Sequence, residues 1–509
     1  MTTPSEPHQV LRRYLTAFYG FALGLALLLA IMAIIQRGNV MPATAMVTQT
    51  AVAQILSPTR DSTQAPDRNT ATPLPAIPPT PNEKTPSPLG VTATELRGLT
   101  VSLWHPWAGP MGNILQTIVD EFNRTNRWGL TVQVKSYEGF GRLDEAVEAA
   151  LSSNSLPDVL IDYGYQARHW DEGNVFVDLT TYLDDPVWGL TAEEKTDFYP
   201  VFWSEDLLRD DQGQVSKRVG LPYYRSAYVM FYNQSWGREL GYLEPPTTAE
   251  DFRERACAAA DEVTRRGDKS ITGKGGWLIT PQPGALIGWI YAFGGSISDP
   301  SGRGYLLNIP ETSQAFEYLK ELQASGCAWF EAGVDAQSEF ASRHALFVVG
   351  SLFDIPAQQQ AINQADNPDE WLVIPFPSGS EAVVNTYGPS LFLTHSTPAQ
   401  QLAAWLAIEW LVYPPNQAEW VAALEAYPTR LSTLNYLTVA SSTNPQWAEA
   451  LELLPDARSE PTQPSWNIMR WALGDALTQL NDSRLLPDQI PSLLVNLDNI
   501  AAEITSQVP

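Results

Sequence analysis

At 509 residues with a formal net charge of −26, the chain is too long for one core. It is also too acidic to hold nucleic-acid phosphates or to lie on anionic lipid through its folded surface. A hydrophobic fraction of 44% with 17 Trp marks a globular protein with much to bury.

Residues 14–35 carry no charge, and at 1.5 Å per residue they are long enough for a hydrocarbon core of about 30 Å. Arg12 and Arg13 precede them, which places residues 1–13 in the cytoplasm and the rest of the chain outside. Ala43-Thr44-Ala45 resembles a signal-peptidase site, but the apolar run is longer than the usual signal core and no Cys follows to accept lipid. We therefore read 14–36 as an uncleaved transmembrane anchor. Residues 37–97 are Pro-, Thr-, Ala- and Ser-rich and too polar to offset the entropy of ordering. They predict a disordered tether, whose root-mean-square span for about 60 residues is roughly 40–45 Å.

Folded structure is expected from residue 98. L-T-V-S-L-W-H (99–105) predicts a strand, and 113–126 a helix with Ile114, Ile118, Val119 and Phe122 on one face. Strand 130–137, helix 142–152 and strand 157–163 follow, an alternation that predicts a mainly parallel sheet. Ligands bind beyond the carboxyl ends of such strands. Those ends are Trp104 to Trp107, Tyr137-Glu138 and Asp162-Tyr163. Next, V-G-L-P-Y-Y-R-S-A-Y-V-M-F-Y-N (219–233) reads as a strand buried on most sides, opened by Pro222 and closed by Asn233. P-P-T-T-A-E-D-F (245–252) then starts a helix with Thr247 or Thr248 as N-cap.

The order G-L-P-Y, a hydrophobic strand ending Y-N, and P-P-T-T-x-x-x-F resembles the lobe crossing of family 1 extracellular solute-binding proteins. These are the sugar-binding receptors of ABC importers, of the maltose-binding type. The resemblance implies an α/β, two-lobed periplasmic-binding-protein-like fold (type II) with three interlobe crossings, at 219–233, 340–351 and 384–393. It places lobe 1 at 98–222 and 351–387, and lobe 2 at 223–350 and 388–509. It also implies an interlobe cleft lined by Trp104, Trp107, Glu138, Asp162, Tyr163, Tyr224, Ser226, Trp289, Phe353, Asp354, Ser390 and Arg430. Trp289 stands in W-I-Y-A-F-G-G (289–295) and Arg430 in the Pro-Thr-Arg turn of 428–430. Aromatic rings suit the C–H face of a sugar, and carboxylates and amides suit its hydroxyls.

The rest of the chain predicts strand 276–281, helix 313–326, strand 371–377, the amphipathic helix 397–412 and two further helices in 464–505. Cys257 and Cys327 are the two cysteines. Outside the cell they could pair, closing a loop of about 70 residues worth roughly 4 kcal/mol, or remain separate buried thiols. His8, His105, His169, His344 and His395 form no metal-ligand pattern, and no G-x-S-x-G occurs. Asp144, Glu145 and Glu148 fall at helical spacing and read as a solvated face.

The expectation is a monomeric, single-pass membrane protein with its folded domain extracytoplasmic. It would need no cofactor, no metal and no catalysis, capture a carbohydrate and deliver it to an ABC importer. A tethered receptor for a sensor partner is the alternative, and a glycoside hydrolase the enzyme alternative, since two carboxylates across a cleft need no local motif.

Overall fold

The computed structural model describes residues 87–209, 214–366, 368–378 and 382–508. The anchor expected at 14–36 and the linker as far as residue 86 lie outside them. Among the described residues no helix is long and apolar enough to cross a membrane. The expected linker runs on to Arg97, but Val91 and Leu96 are buried in the first core. Two apolar side chains in a turn-rich stretch are enough to fasten it, and a reading by average composition passes over them.

Among the described residues, fifteen strands build two main sheets and a hairpin. In chain order they are β1 (Thr100–His105), β2 (Thr131–Ser136), β3 (Val159–Tyr163), β4 (Leu207–Arg209), β5 (Val215–Arg218), β6 (Gly220–Pro222), β7 (Tyr224–Asn233), β8 (Gly275–Leu278), β9 (Ala328–Trp329) and β10 (Ala345–Ser351). They continue with β11 (Trp371–Ile374), β12 (Val384–Tyr387), β13 (Pro389–Leu393), β14 (Tyr427–Pro428) and β15 (Ala457–Ser459). The first sheet has the order β2-β1-β3-β13-β6. Its β1 pairs in parallel with β2 and β3, and β13 runs antiparallel to β3 and β6. The second has the order β15-β12-β7-β10-β8-β9, with β11 and β14 also on β7.

Strand β7 organises the second sheet because its side chains divide between two cores. Val229 and Phe231 join one apolar cluster, Met230 and Tyr232 the cluster on the opposite face. That is the two-residue period of a strand buried on both sides. Its N-terminal end follows β6 after Tyr223, so the chain passes from the first sheet to the second at one residue. It returns at Gly388, the residue between β12 and β13. A Cβ there would meet the carbonyl oxygen of Tyr224 at 2.4 Å, so a larger residue would push the two crossing strands apart.

The lobe partition expected from sequence differs from this pairing. Strands β11 and β12 lie in the second sheet, whereas β13 lies in the first, and helix Pro398–Val412 packs on β1 and β13. Strand β10 is held between β7 and β8 and makes no crossing. The third passage instead follows helix Pro414–Leu424, where β14 and then β15 add to the second sheet. These strands are short and mixed in composition (β15 is Ala-Arg-Ser, β12 Val-Asn-Thr-Tyr), so composition does not tell which sheet receives them. Hydrogen-bond register does.

Cys257, on helix Ala249–Arg265, and Cys327, just before β9, form a disulfide across a sequence separation of 70.

Candidate functional site

Between the lobes lies a small pocket; the space around it, open solvent included, is about 350 Å³. Its first-lobe wall is Tyr163, Gly164, Tyr165 and Glu205. Its floor is Thr386, Tyr387 and Gly388 at the crossing. Its second-lobe wall is Glu460, Thr462, Trp466 and Arg470. The lobes meet here: a Cβ on Gly164 would lie 3.7 Å from the methyl of Thr462, and Tyr165 packs against the second-lobe cluster.

Each wall follows from local structure. Tyr163 ends β3, beyond which the chain turns into helix Gly164–Trp170, and its ring stacks on Tyr165 at 5.3 Å and 11°. Tyr387 ends β12 and stacks on Tyr228 of β7 at 5.0 Å. Trp466 and Arg470 stand one turn apart at the start of helix Trp466–Leu480, and so share a face. Burial pushes the phenols of Tyr163, Tyr165, Tyr228 and Tyr387 up. All four therefore remain neutral hydrogen-bonding groups.

The ionic groups are matched in pairs. Arg225, wholly buried, reaches Glu205 at 2.6 Å and donates to the carbonyls of Tyr224 and Pro389 and to Ser390 Oγ. Glu205 also accepts from Ser459 Oγ of the second sheet at 2.5 Å. On the other wall, Glu460 lies 2.8 Å from Arg470 Nε and accepts from Trp466 Nε1 at 3.0 Å and Asn385 Nδ2 at 3.1 Å. Burial opposes the charge on Arg470, but Glu460 and the surrounding phenols outweigh it and hold the guanidinium protonated. Neither carboxylate is free to act as a general acid or base.

Of the residues expected from sequence, Tyr163 lines this cleft. Asp162 lies immediately behind it, fully buried, with its Oδ1 accepting from the Tyr163 N–H at 2.7 Å. Trp107 and Tyr224 are buried with Tyr223 and Trp420 in an aromatic cluster, and Phe353 sits against Tyr224. Ser226 and Ser390 are buried at the crossing, where Ser226 pairs in register with Tyr387. Asp354 accepts from the Ser351 N–H and hydroxyl. Trp104 packs on Tyr137 with Lys135 over both rings, and exposed Glu138 pairs with Arg142. Arg430 pairs with Asp197. Trp289 lies in the second core, on helix Pro283–Ala292, which is buried all round from Gly284 to Ala292. Glu205, Tyr387, Glu460, Thr462, Trp466 and Arg470 were not anticipated. A motif for them was not available, because β15, which brings 460–470 to the cleft, is three residues long.

Asp144, on helix Phe140–Ser153, faces Asp162 rather than solvent alone, and the two carboxyls share a hydrogen bond. Asp144 Oδ1 and Asp162 Oδ2 are buried, and Gln166 also hydrogen-bonds the Asp144 carboxyl. Burial pushes Asp144 up to about 7, and burial together with the charge of Asp144 raises Asp162. The folded protein thus keeps a proton that the unfolded chain releases near pH 4, and stability falls as pH rises from about 4 to about 7. Asp144→Asn removes the Asp144 share of that dependence and leaves the burial-driven share of Asp162. It should make the protein more stable than its parent at pH 8 by up to about 4 kcal/mol, each unit of raised pKa being worth about 1.4 kcal/mol. Urea unfolding at pH 5 and pH 8 checks this; equal pH slopes for the two proteins would contradict it.

Two α/β lobes joined by crossing strands over an aromatic, polar cleft define a binding fold of the two-lobed type. The chain belongs to the bacterial extracellular solute-binding proteins, whose family profile matches residues 117–453. Comparison with curated proteins by sequence gave no match. Among solved structures, the fold is similar to the sugar-binding protein MalE from Xanthomonas citri. The TM-score is 0.68 at 18% identity, covering 80% of this chain and 98% of that one. It is also similar to the cyclic α-maltosyl-1,6-maltose binding protein from Arthrobacter globiformis, with TM-score 0.66, 19% identity and coverage of 79% and 98%. UgpB from Mycobacterium tuberculosis, solved in complex with glycerophosphocholine, matches with TM-score 0.61, 18% identity and coverage of 80% and 98%.

Proposed function

We propose that this solute-binding protein captures a carbohydrate between its lobes and delivers it to an ABC importer. The observation that carries this reading is the cleft lining. The tyrosine pairs offer flat faces for a sugar ring, while Thr462 and the phenols offer neutral hydrogen bonds. The sugar-binding names of two of the similar structures agree with it. A glycerophosphate ligand has less support, because the arginines near the cleft, Arg225 and Arg470, are paired with Glu205 and Glu460.

The ligand favours the state in which both walls touch it and so shifts the lobes toward closure, which the importer reads. The chain itself carries out no chemistry. It works outside the cytoplasm, tethered by the apolar run at 14–35, and the Cys257–Cys327 disulfide suits that compartment.

A thermal-shift screen of the full chain against neutral mono- and disaccharides tests this. A ligand at about 100 times its Kd adds about 2.7 kcal/mol and raises the melting temperature. No shift with any sugar would refute the reading. Deleting the importer should abolish uptake of the sugar that binds.

A further inference from the structure

We propose that Glu460 sets the charge preference of the cleft: by compensating Arg470 it makes an uncharged sugar the favoured guest, and without it the cleft favours an anionic one. This rests on the carbohydrate reading and adds to it which chemical class of sugar is accepted and which residue decides.

Of the charged groups near the ligand space, Glu205, Glu460 and Arg470 line it, Arg225 stands behind Glu205, Asp206 behind Gly164, and Asp354 acts on Tyr228 and Tyr387. Arg225 and Glu205 cancel each other and are locked by Ser390, Ser459 and two carbonyls. Glu460 and Arg470 are the second pair, and they differ in how they are held. Glu460 is 8% exposed, and each of its oxygens accepts hydrogen bonds, Oε2 from Trp466 Nε1 and Oε1 from Asn385 Nδ2. Arg470 is half-buried and its guanidinium lies 5.8 Å from the Tyr387 ring centroid; its Nε stands 2.8 Å from Glu460 Oε2 without good alignment, its Nη2 donates to Glu460 Oε1 at 3.4 Å, and it also hydrogen-bonds Tyr228. Glu460 is therefore the more buried and the more firmly held of the pair, and Arg470 the more exposed.

A guanidinium in a confined site pairs strongly with a carboxylate, often through two parallel hydrogen bonds. While Glu460 is present that demand is met within the protein, and an incoming carboxylate would be repelled by Glu460 at close range. A neutral sugar needs only the remaining N–H groups and the rings. When Glu460 becomes an amide, its single oxygen can keep one of the contacts from Trp466 Nε1 and Asn385 Nδ2, and the charge compensation is lost. Arg470 then requires a negative partner from the ligand.

The test uses the full chain, with glucose, galactose and maltose as neutral probes, glucuronate and galacturonate as anionic probes, and glucosamine as a cationic one. Titration calorimetry at low and high salt gives the affinity ratios. The parent should prefer a neutral sugar to its uronate by at least about tenfold. Glu460→Gln should move that ratio at least about tenfold toward the uronate, with the change shrinking at high salt, as a screened charge effect does. Arg470→Gln, which leaves Glu460 alone, should move preference the other way, toward glucosamine. The double variant should return to the parental preference.

A parent that binds neutral sugar, with ratios unchanged in both single variants, would overturn this proposal and leave the carbohydrate reading standing. So would a parent that prefers the uronate. A parent that binds none of the sugars would remove both.

Discussion

Replacing Arg225 by Met is expected to destabilise the protein by about 3–5 kcal/mol, the usual cost of removing one partner from a buried ion pair. Arg225 is wholly buried on β7, and the Glu205 side chain keeps about a tenth of its exposure. The pair holds the crossing together, since Arg225 Nη1 donates to the carbonyl of Pro389 at 2.7 Å at the start of β13. With Arg225 gone, Glu205 is left in a site where burial already pushes its pKa up and only Arg225 and Ser459 oppose it. In the variant Glu205 should take up a proton. A carboxyl whose folded pKa is raised loses stability as pH rises, so the deficit should be larger at pH 8 than at pH 5. Urea unfolding at the two pH values reads both numbers. Arg225→Met with Glu205→Gln should recover a large part of the loss, because no unpaired charge remains. A deficit below about 1 kcal/mol at pH 8 would show that the crossing does not depend on this pair.

The same crossing shows how much the sequence could tell. The run Tyr223 to Asn233 announces a buried strand because its aromatic and β-branched residues have no polar face, and β7 spans Tyr224–Asn233. The parallel strands of the first lobe are legible for the same reason: β1 and β3 are short apolar runs separated by helices of clear 3.6 period. The family resemblance carried the two-lobed fold on motif order. What sequence does not encode locally is which sheet a short strand joins. Strands β12 and β13 are one residue apart yet belong to different sheets, and only the pairing of Ser226 with Tyr387 and of Asp162 with Ser390 separates them. The cleft suffers most from this. Its second-lobe wall depends on Ser459 lying beside Thr386, a contact between residues more than seventy positions apart. Trp289 illustrates the reverse case, an aromatic before paired glycines on a helix with no exposed face. Asp144 reads as surface because its neighbours Glu145 and Glu148 are charged. Its burial comes from Asp162 across the helix–strand contact.

Loss of the disulfide is expected to cost about 4 kcal/mol on the chain-entropy estimate for a closed loop of this length. The expected loss is also local. The loop between Cys257 and Cys327 contains β8, helix Pro283–Ala292 and helix Pro310–Ala324, all of them in the second lobe. Helix Trp466–Leu480, which carries Trp466 and Arg470, packs on both of those helices. Opening the loop should therefore loosen one wall of the cleft while leaving the first lobe's sheet as it was. The clean variant is Cys257→Ala with Cys327→Ala, since neither thiol is then left to form a wrong pair. Its denaturant midpoint should fall, and the parent treated with reductant should fall to meet it. Amide hydrogen exchange distinguishes the cause. Protection should drop across residues 257–327 and along helix Trp466–Leu480, and stay unchanged in β1, β2 and β3, because segments that open locally lose protection on their own. Sugar affinity should weaken with it, the binding-competent state having become less populated. An equal loss of protection in both lobes would mean that the bond stabilises the whole molecule rather than its second lobe. An unchanged midpoint would mean that the packing around Cys327, which is 2% exposed, already holds the loop closed.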